Sequence, residues 1–331
     1  MEALLEIKNL KTHFFSKKQV VPAVDGVTLQ IHKGETVALV GESGCGKSMT
    51  SLSVMGLVPQ PGGKIVDGEI MLNGANLVQM SENQMCKIRG KDIAMIFQEP
   101  MTSLNPVLTI GEQLIEVISY HQEIKRSKAE KKAVELLEMV GFSRAREMIH
   151  DYPHRLSGGM RQRVMIAMAM SCNPKLLIAD EPTTALDVTI QAQILELMKD
   201  LTKQFDTSIL LITHDLGVVS ELAERVIVMY AGEVVEESPI DELFDNPYHP
   251  YTRGLIESVP TLDGEIERLK SIPGNVPAPD ELPSGCRFAP RCPKAFDRCF
   301  TEKPEFMQIK PERGVRCFLY EEGGGLTDAR D

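Results

Sequence analysis

The chain has 331 residues and a formal net charge of -11. This length exceeds one typical domain and predicts one large domain with an appendage. The negative charge argues against a general nucleic-acid-binding protein, which needs a positive face to release counterions from phosphates. The apolar run 164–170 is too short to span a bilayer, so we expect no membrane-spanning segment. The first residues lack the basic start and long apolar core of a secretory signal, which favours a cytoplasmic location.

Two stretches near the start of the chain have the partly alternating apolar pattern of strands. Residues 4–10 and 23–31 show this pattern and predict a small antiparallel sheet. Between them lies the aromatic stretch His13-Phe14-Phe15, in which a ring could stack on a purine base because every base offers a π-face. Burial of the same ring in the sheet is the alternative, and the spacing leaves both interpretations open.

A glycine-rich loop of the form G-x-x-x-x-G-K-[ST] follows the apolar run 36–40. Such a loop offers backbone N–H groups and a helix N-terminus to a polyphosphate, and its glycines allow close approach of the backbone. Lys47 is expected to hold the β- and γ-phosphates and Ser48 the Mg²⁺ ion. A chance match in an ordinary turn is disfavoured by the strand before the loop and the helix-compatible run 49–57 after it. The loop residues are Gly41, Glu42, Ser43, Gly44, Cys45, Gly46, Lys47 and Ser48.

The middle of the chain combines short strands with a long helical stretch. A strand at 68–72 ends in an Asn-Gly turn, and a second apolar strand follows at 93–97. From 110 to about 148 the pattern is helical. We interpret this stretch as a helical insertion between two parts of a nucleotide-binding core.

Apolar segments in the second half of the chain have the composition of buried parallel strands. They lie at 176–180, 208–213 and 226–230, and a helix-compatible stretch at 190–205 separates the first two. The order strand, helix, strand predicts an α/β sheet with right-handed crossovers. Beyond about residue 245 the pattern fades into Pro and Gly, which marks the predicted start of the appendage.

The carboxylate pair Asp180-Glu181 closes the first of these strands. Ligands of open α/β sheets bind at the carboxyl ends of the strands, which favours a site over the alternative of a solvated surface pair. Asp180 is expected in the Mg²⁺ shell, and Glu181 is expected to accept a proton from an attacking water. Upstream, Ser157, Gly158 and Gly159 open a helix whose free N–H groups attract a γ-phosphate, with a simple capped helix start as the alternative.

Four of the seven cysteines fall in one C-terminal stretch, with the spacing C-x5-C-x6-C-x17-C. In a reducing compartment this crowding indicates a metal site more than disulfides. Four thiolates suit tetrahedral Zn²⁺ or an iron–sulfur cluster, and four free thiols are the third alternative. The absence of paired C-x2-C knuckles and the Cys-Pro step at 292–293 favour a [4Fe–4S] cluster. The four cysteines are Cys286, Cys292, Cys299 and Cys317.

In this order the motifs resemble those of the ATP-binding cassette (ABC) transporter nucleotide-binding subunits. The resemblance implies an α/β fold of the ABC-type P-loop NTPase class, with a RecA-like core, an antiparallel β-subdomain and a helical subdomain at about 88–165. A small cysteine-rich C-terminal extension follows. The predicted domains are therefore a nucleotide-binding domain at 1–245 and the extension at 246–331.

The resemblance also implies roles for single residues. Glu181 is implied as the catalytic base, His214 as the switch histidine that senses the γ-phosphate, and Gln98 as the Q-loop residue that links Mg²⁺ and water to the membrane partner. Ser48, Gln98 and Asp180 are the implied Mg²⁺ ligands. In the signature 156–162, Met160 stands where Gln is commonest, a mild departure because the phosphate contacts come from Ser157 and the glycine backbone. The residues implied in ATP binding are Phe14, Gly41, Glu42, Ser43, Gly44, Cys45, Gly46, Lys47, Ser48, Met49, Gln98, Ser157, Gly158, Gly159, Asp180 and Asp187 of the D-loop segment 185–187.

Four further segments are similar to the oligopeptide/dipeptide importer branch of this family. They are 97–106, 152–160, 249–252 and 285–293. The branch implies an ATPase that powers import of oligopeptides or dipeptides, while related members import nickel or other small solutes, so the cargo stays open. Members of the branch carry a [4Fe–4S] cluster at the cysteine motif, which is therefore expected here with Zn²⁺ as the alternative.

In this family each ATP lies between the Walker loop of one subunit and the signature of another. The resemblance thus implies a second homologous ABC ATPase, in a heterodimer or a homodimer, two transmembrane permease subunits and an extracytoplasmic substrate-binding protein. It places the chain at the cytoplasmic face of the membrane and implies no nucleic-acid partner. A soluble cassette protein that acts on nucleic acid is the rival, disfavoured because only about one hundred residues without sustained heptads separate Ser48 from Leu156.

Overall fold

The computed structural model describes residues 2–17, 19–98, 103–184, 186–258, 271–278 and 281–321. The chain divides into two compact units. Unit 1 comprises Met1–Leu5, Ile31–Thr36 and Met71–Ile212, and unit 2 comprises Glu6–Gln30, Val37–Ile70 and Thr213–Asp331. Within the described ranges, none of the helices is both long and apolar enough to cross a membrane.

The strands and helices are numbered here in chain order. The strands are β1 (Ala3–Phe15), β2 (Val20–His32), β3 (Thr36–Val40), β4 (Gly63–Leu72), β5 (Ala75–Asn76), β6 (Ile93–Ile96), β7 (Leu176–Asp180), β8 (Ser208–Thr213), β9 (Arg225–Tyr230), β10 (Glu233–Pro239), β11 (Met307–Lys310) and β12 (Arg313–Val315). The helices are α1 (Lys47–Val54), α2 (Glu82–Ile88), α3 (Ile110–Gln122), α4 (Arg126–Met139), α5 (Ala145–Met148), α6 (Gly158–Met170), α7 (Val188–Phe205), α8 (Leu216–Leu222), α9 (Ile240–Asp245), α10 (Pro250–Glu257) and α11 (Asp297–Thr301).

Unit 1 contains the parallel strands β6, β7 and β8. β7 pairs in parallel with β6 on one side and with β8 on the other, so that Leu176 lies opposite both Ile93 and Ser208. Every residue of β7 and β8 is buried, which explains their uninterrupted apolar sequences. The predicted strands at 176–180 and 208–213 are confirmed with the same limits, and the α/β order is confirmed with them.

The predicted helical stretch 110–148 consists of three helices, α3, α4 and α5. α3 begins with a capping box, in which Thr109 Oγ1 accepts the N–H of Glu112 at 3.2 Å and the Glu112 carboxylate accepts the N–H of Thr109 at 2.9 Å. Glu123 ends α3 in a left-handed conformation with φ 52°, and Gly141 follows α4 with φ 93°. These positive φ values interrupt the helical backbone and divide the stretch.

Unit 2 contains strands that the C-terminal part of the chain extends. β9 pairs in parallel with β3 and antiparallel with β10, and β12 joins the other edge of β10. Thr213–Asp331 belongs to unit 2, and the predicted domain boundary near residue 245 stays a prediction. β10, which was not predicted, contains Glu236. That carboxylate is buried and accepts the N–H groups of Tyr248 at 2.7 Å and His249 at 2.8 Å.

Both predicted N-terminal strands are confirmed, and each is longer than expected. β1 continues through Phe14 and Phe15, so these rings point to opposite faces of a strand. β4 and β5 pair around a turn in which Asn73 and Gly74 have φ values of 47° and 80°. Two successive positive φ values are those of a type I′ turn, which is what the Asn-Gly pair predicts.

Candidate nucleotide-binding site

The glycine-rich loop of unit 2 joins a buried strand to a helix, as predicted. β3 ends at Val40, and α1 begins at Lys47 after Gly46, which has φ 102°. A Cβ atom at Gly41 would lie 2.2 Å from the carbonyl oxygen of Met229, and one at Gly46 would lie 2.5 Å from that of Ala23. These glycines are thus required by close backbone contact within unit 2.

The loop holds Lys47 in place through its own carbonyl groups. The Nζ atom of Lys47 donates to the carbonyl oxygens of Gly41 at 2.7 Å and Glu42 at 3.1 Å, and the residue is almost fully buried. Cys45 is also buried, and this burial raises the pKa of its thiol.

In unit 1, the structure brings Gln98 and Glu181 together, although they are separated by 83 residues. Gln98 Nε2 donates to Glu181 Oε2 at 2.9 Å, and Thr184 Oγ1 donates to the same oxygen at 2.9 Å. Asp180, which ends β7, is 4% exposed. Glu181 has φ 49°, a strained conformation for a residue with a side chain, and such strain concentrates at functional sites. The arrangement fixes a carboxylate at the carboxyl end of a buried strand.

The predicted signature lies at the exposed N-terminus of α6. Ser157 caps this helix by accepting the N–H of Met160 at 3.3 Å, and Gly158 is exposed beside it. A Cβ atom at Gly159 would lie 2.7 Å from Ile190 Cγ2 in α7, so the starts of α6 and α7 are in contact. Asp187 caps α7 by accepting the N–H of Ile190 at 3.0 Å. The structure thus brings the signature and the D-loop segment together in unit 1.

The two remaining predicted nucleotide residues belong to unit 2. His214 follows β8 and is exposed, just before the cap residue of α8, Asp215, which accepts the N–H of Gly217 at 2.8 Å. Phe14 is half-buried against Gly63, whereas the neighbouring Phe15 is 45% exposed. An adenine ring needs an accessible aromatic face, and within the predicted stretch 13–15 the more exposed phenylalanine is Phe15 and not Phe14, the residue that the resemblance implies.

Some predicted segments lie outside the described residues. They are 99–102, from the stretch after Gln98, and Ala185, from the D-loop segment. Sequence reasoning also missed Tyr251 and Arg291, which contact Glu42 of the loop from positions 209 and 249 residues away. No local pattern signals a contact over such a distance.

The four C-terminal cysteines line one cavity of about 20 Å³ in unit 2, together with His249 and Phe288. Burial, reinforced by the neighbouring sulfurs, raises the pKa of Cys286 to about 11 and that of Cys317 to about 12. Burial also lowers the pKa of His249 to about 3, so its ring is neutral. Among the described residues, no group of three His, Cys, Asp or Glu side chains is placed to hold a metal ion. The predicted iron–sulfur cluster therefore gains no support from this finding.

Comparisons with known proteins match most of the chain. Residues 24–184 match the ABC transporter family, and residues 235–299 match the C-terminal region of oligopeptide/dipeptide transporters. The oligopeptide transport ATP-binding protein AppD of Bacillus subtilis is 68% identical over 324 residues, which cover 98% of this chain and 99% of AppD. OppD of the same organism is 53% identical and covers 96% of this chain and 88% of its own length.

The fold is also that of solved ABC cassettes. A dimeric post-hydrolysis structure of the ATP-binding cassette MJ0796, bound to ADP and Pi, has a TM-score of 0.64 and 29% sequence identity. It covers 71% of this chain and 98% of its own chain. The predicted α/β fold of an ABC-type P-loop NTPase is confirmed. The chain therefore belongs to the ABC transporter ATP-binding proteins, in the oligopeptide/dipeptide transporter branch.

Proposed function

We propose that this chain is the ATP-hydrolysing subunit of an ABC transporter that imports oligopeptides or dipeptides. The observation that carries the proposal is the Glu181 carboxylate, held by Gln98 and Thr184 at the end of a buried strand. Its position suits a general base for an attacking water. The identity of 68% to an oligopeptide transport ATP-binding protein supports the peptide cargo. Nickel or another small solute is the alternative cargo for the same motor.

The main predicted residues have distinct parts in this reaction. The loop amides and Lys47 bind the β- and γ-phosphates, while Ser48, Gln98 and Asp180 would hold Mg²⁺, which would neutralise charge at the phosphates. A water attacks the γ-phosphorus, the bond from phosphorus to the ADP oxygen breaks, and the water proton passes to Glu181. His214 senses the γ-phosphate.

Hydrolysis is proposed to need a second, homologous ATPase subunit. The exposed helix start at Ser157 and Gly158 presents free N–H groups that bind the γ-phosphate held by the partner's loop. The dimeric state of MJ0796 supports this arrangement. Two permease subunits and an extracytoplasmic substrate-binding protein complete the proposed importer. We place the chain at the cytoplasmic face of the membrane as a peripheral subunit, because that is the side that supplies ATP.

Lys47→Ala is expected to weaken MgATP binding about thirtyfold, since a hydrogen bond between charged groups contributes about 2 kcal/mol. Isothermal titration of the full chain with MgATP measures the change. Lys203→Ala, on the exposed face of α7, is the matched control and should bind like the parent. Equal affinities for the Lys47 variant and the control would refute the assignment of the loop.

Cargo is tested on the chain assembled with its permeases and binding protein in vesicles. We expect ATP hydrolysis to rise when oligopeptides or dipeptides are supplied with the binding protein. Stimulation by nickel and not by peptides would replace the peptide proposal with the alternative. Failure of the chain to copurify with permease subunits from membranes would overturn the transport role itself.

We also propose that the cysteine cavity binds a [4Fe–4S] cluster. The four thiols line one cavity, which supports a common ligand. Four thiolates also suit a tetrahedral Zn²⁺ ion, which stays the alternative ligand. The cluster would crosslink the four cysteines and so stabilise the segment 286–317.

Iron and acid-labile sulfide should be found in the full chain purified without oxygen, and Cys299→Ser should remove both. Cys172→Ser, whose thiol lies in unit 1, is the control and should retain them. Because the raised thiol pKa values must be overcome for thiolates to form, loading should fall as pH falls. Zinc without sulfide, or neither metal, would rule out the cluster.

A further inference from the structure

Glu42, the second residue of the phosphate-binding loop, is held by two side chains from the C-terminal part of unit 2. Its backbone N–H donates to the hydroxyl oxygen of Tyr251 at 2.8 Å. Its carboxylate accepts two hydrogen bonds from Arg291, from Nη1 to Oε2 at 2.7 Å and from Nη2 to Oε1 at 3.0 Å. This bidentate geometry makes an arginine–carboxylate pair both strong and directional. Both the main chain and the side chain of Glu42 are therefore hydrogen-bonded to residues of the C-terminal part of unit 2.

Arg291 is itself fixed in a buried setting. It ends the turn Ala289–Arg291, directly before Cys292, and its side chain is 4% exposed. Its Nε donates to the carbonyl oxygen of Pro273 at 2.9 Å, and Nη1 also reaches the hydroxyl oxygen of Tyr230 at 3.3 Å. Because these partners hold the guanidinium in one orientation, Arg291 determines where the Glu42 carboxylate lies.

The aromatic ring of Phe288 joins the residues that hold Glu42 into one packed group. It contacts Tyr230 edge-to-face, with ring centres 5.2 Å apart, and lies 5.4 Å from the ring centre of Tyr251. All three rings are almost completely buried. Phe288 lies between Cys286 and Cys292 in the sequence. The segment between these two cysteines therefore packs, through Phe288, against the aromatic residues next to the loop.

The contact has an electrostatic consequence for ATP. A carboxylate in a loop that binds polyphosphate repels the ligand unless a cation neutralises it. Arg291 neutralises Glu42 through the two hydrogen bonds given above. Lys47 Nζ donates to the carbonyl oxygen of Glu42 at 3.1 Å, so movement of Glu42 also disturbs the phosphate-binding lysine.

We propose that Arg291 is a positioning residue for ATP, acting through Glu42 to hold the phosphate-binding loop in its binding conformation. The segment between Cys286 and Cys292 thereby contributes to nucleotide affinity, although it lies outside the loop. This inference rests on the proposed binding of ATP by Lys47 and its neighbours. It adds a determinant of affinity that the loop motif does not contain.

Arg291→Gln should weaken MgATP binding to the full chain about tenfold, because a charge-assisted bidentate contact is lost. The MgATP affinity of Arg291→Lys should lie between those of this variant and the parent, since lysine keeps the positive charge but cannot make the bidentate contact. Arg298→Gln is the matched control, because Arg298 lies nearby in the sequence but is 44% exposed, pairs with Glu302 and Glu321 and lies over the ring of Phe318. It should bind within about twofold of the parent. Isothermal titration measures all four proteins.

A second readout separates positioning from general stability. Amide hydrogen exchange without nucleotide should be faster in residues 41–48 of Arg291→Gln, with residues 176–180 unchanged. Glu42→Gln added to Arg291→Gln should recover part of the lost affinity, because it removes the uncompensated carboxylate. If Arg291→Gln does not fold, the same comparison is made between the single variant Arg291→Lys and the double variant that combines Arg291→Lys with Glu42→Gln.

Parental affinity and unchanged loop exchange in the folded Arg291 variants would overturn the inference. So would equal losses in the Arg291 and Arg298 variants, or no recovery on removal of the carboxylate. A parent protein that binds no MgATP, or an unaffected Lys47→Ala, would instead refute the proposed nucleotide site and this inference with it. Tight binding by the parent with unaltered Arg291 variants would leave that site intact and reject only the inference.

Discussion

Replacing Glu181 by Gln is expected to lower ATP hydrolysis by the assembled transporter about a hundredfold or more, because a positioned general base contributes about 10²–10⁴-fold. ATP binding should be retained, since the carboxylate takes part in proton transfer and the loop of unit 2 holds the phosphates. The variant should therefore accumulate the ATP-bound dimer. Hydrolysis at the parental rate would show that Glu181 is not the base.

The local structure should survive this substitution. Glu181 Oε2 accepts hydrogen bonds from Gln98 and Thr184, both at 2.9 Å, and an amide oxygen can accept both. The lost function is then the ability to take a proton. Glu196→Gln makes the same chemical change on the exposed face of α7 and should leave hydrolysis unchanged. Single-turnover hydrolysis and size-exclusion chromatography with ATP measure the two effects.

The parts of the fold that sequence patterns predict well are those in which one physical requirement dominates. β7 and β8 are buried throughout, so each had to be an apolar run, and a polar residue follows where each strand reaches its end. The predicted stretch 190–205 ends where α7 ends, and α7 begins two residues earlier than predicted, directly after its N-cap Asp187. Burial and capping are local signals, and both can be read without the rest of the chain.

The parts that sequence patterns miss depend on distant partners. β10 contains Glu236, whose burial the N–H groups of Tyr248 and His249 help to stabilise. The same distance effect hides the pairing of β12 with β10, which places β12 in unit 2.

The candidate site likewise has features that local sequence patterns predict and features that depend on distant partners. Loop, signature and carboxylate pair were predicted because glycines and polar residues at set spacings are needed for phosphate chemistry. The hydrogen bond between Gln98 and Glu181 and the bidentate contact between Arg291 and Glu42 required the folded chain. Within the aromatic stretch 13–15, the sequence cannot show that Phe15 is more exposed than Phe14, because exposure depends on the folded chain.

Gly158→Asp is expected to reduce ATP hydrolysis about a hundredfold or more, because a like charge placed against the partner's γ-phosphate costs several kcal/mol. Gly158 is exposed at the start of α6, and a Cβ atom there would meet Leu186 Cδ2 at an ordinary 3.7 Å. A carboxylate at a helix N-terminus is favourable for the helix, so thermal stability should be kept or raised.

Gly158→Ala is the matched control, because it adds the same Cβ atom without the charge and should lower hydrolysis far less. MgATP binding to the single subunit should be unchanged in both variants, since Lys47 and the loop remain intact. Loss of hydrolysis with retained binding and stability would therefore locate the defect in the ATP-driven closure of two subunits. Equal activity of the Asp and Ala variants would mean that this helix end does not face a phosphate. The loop of one subunit would then need another source of charge to complete its site.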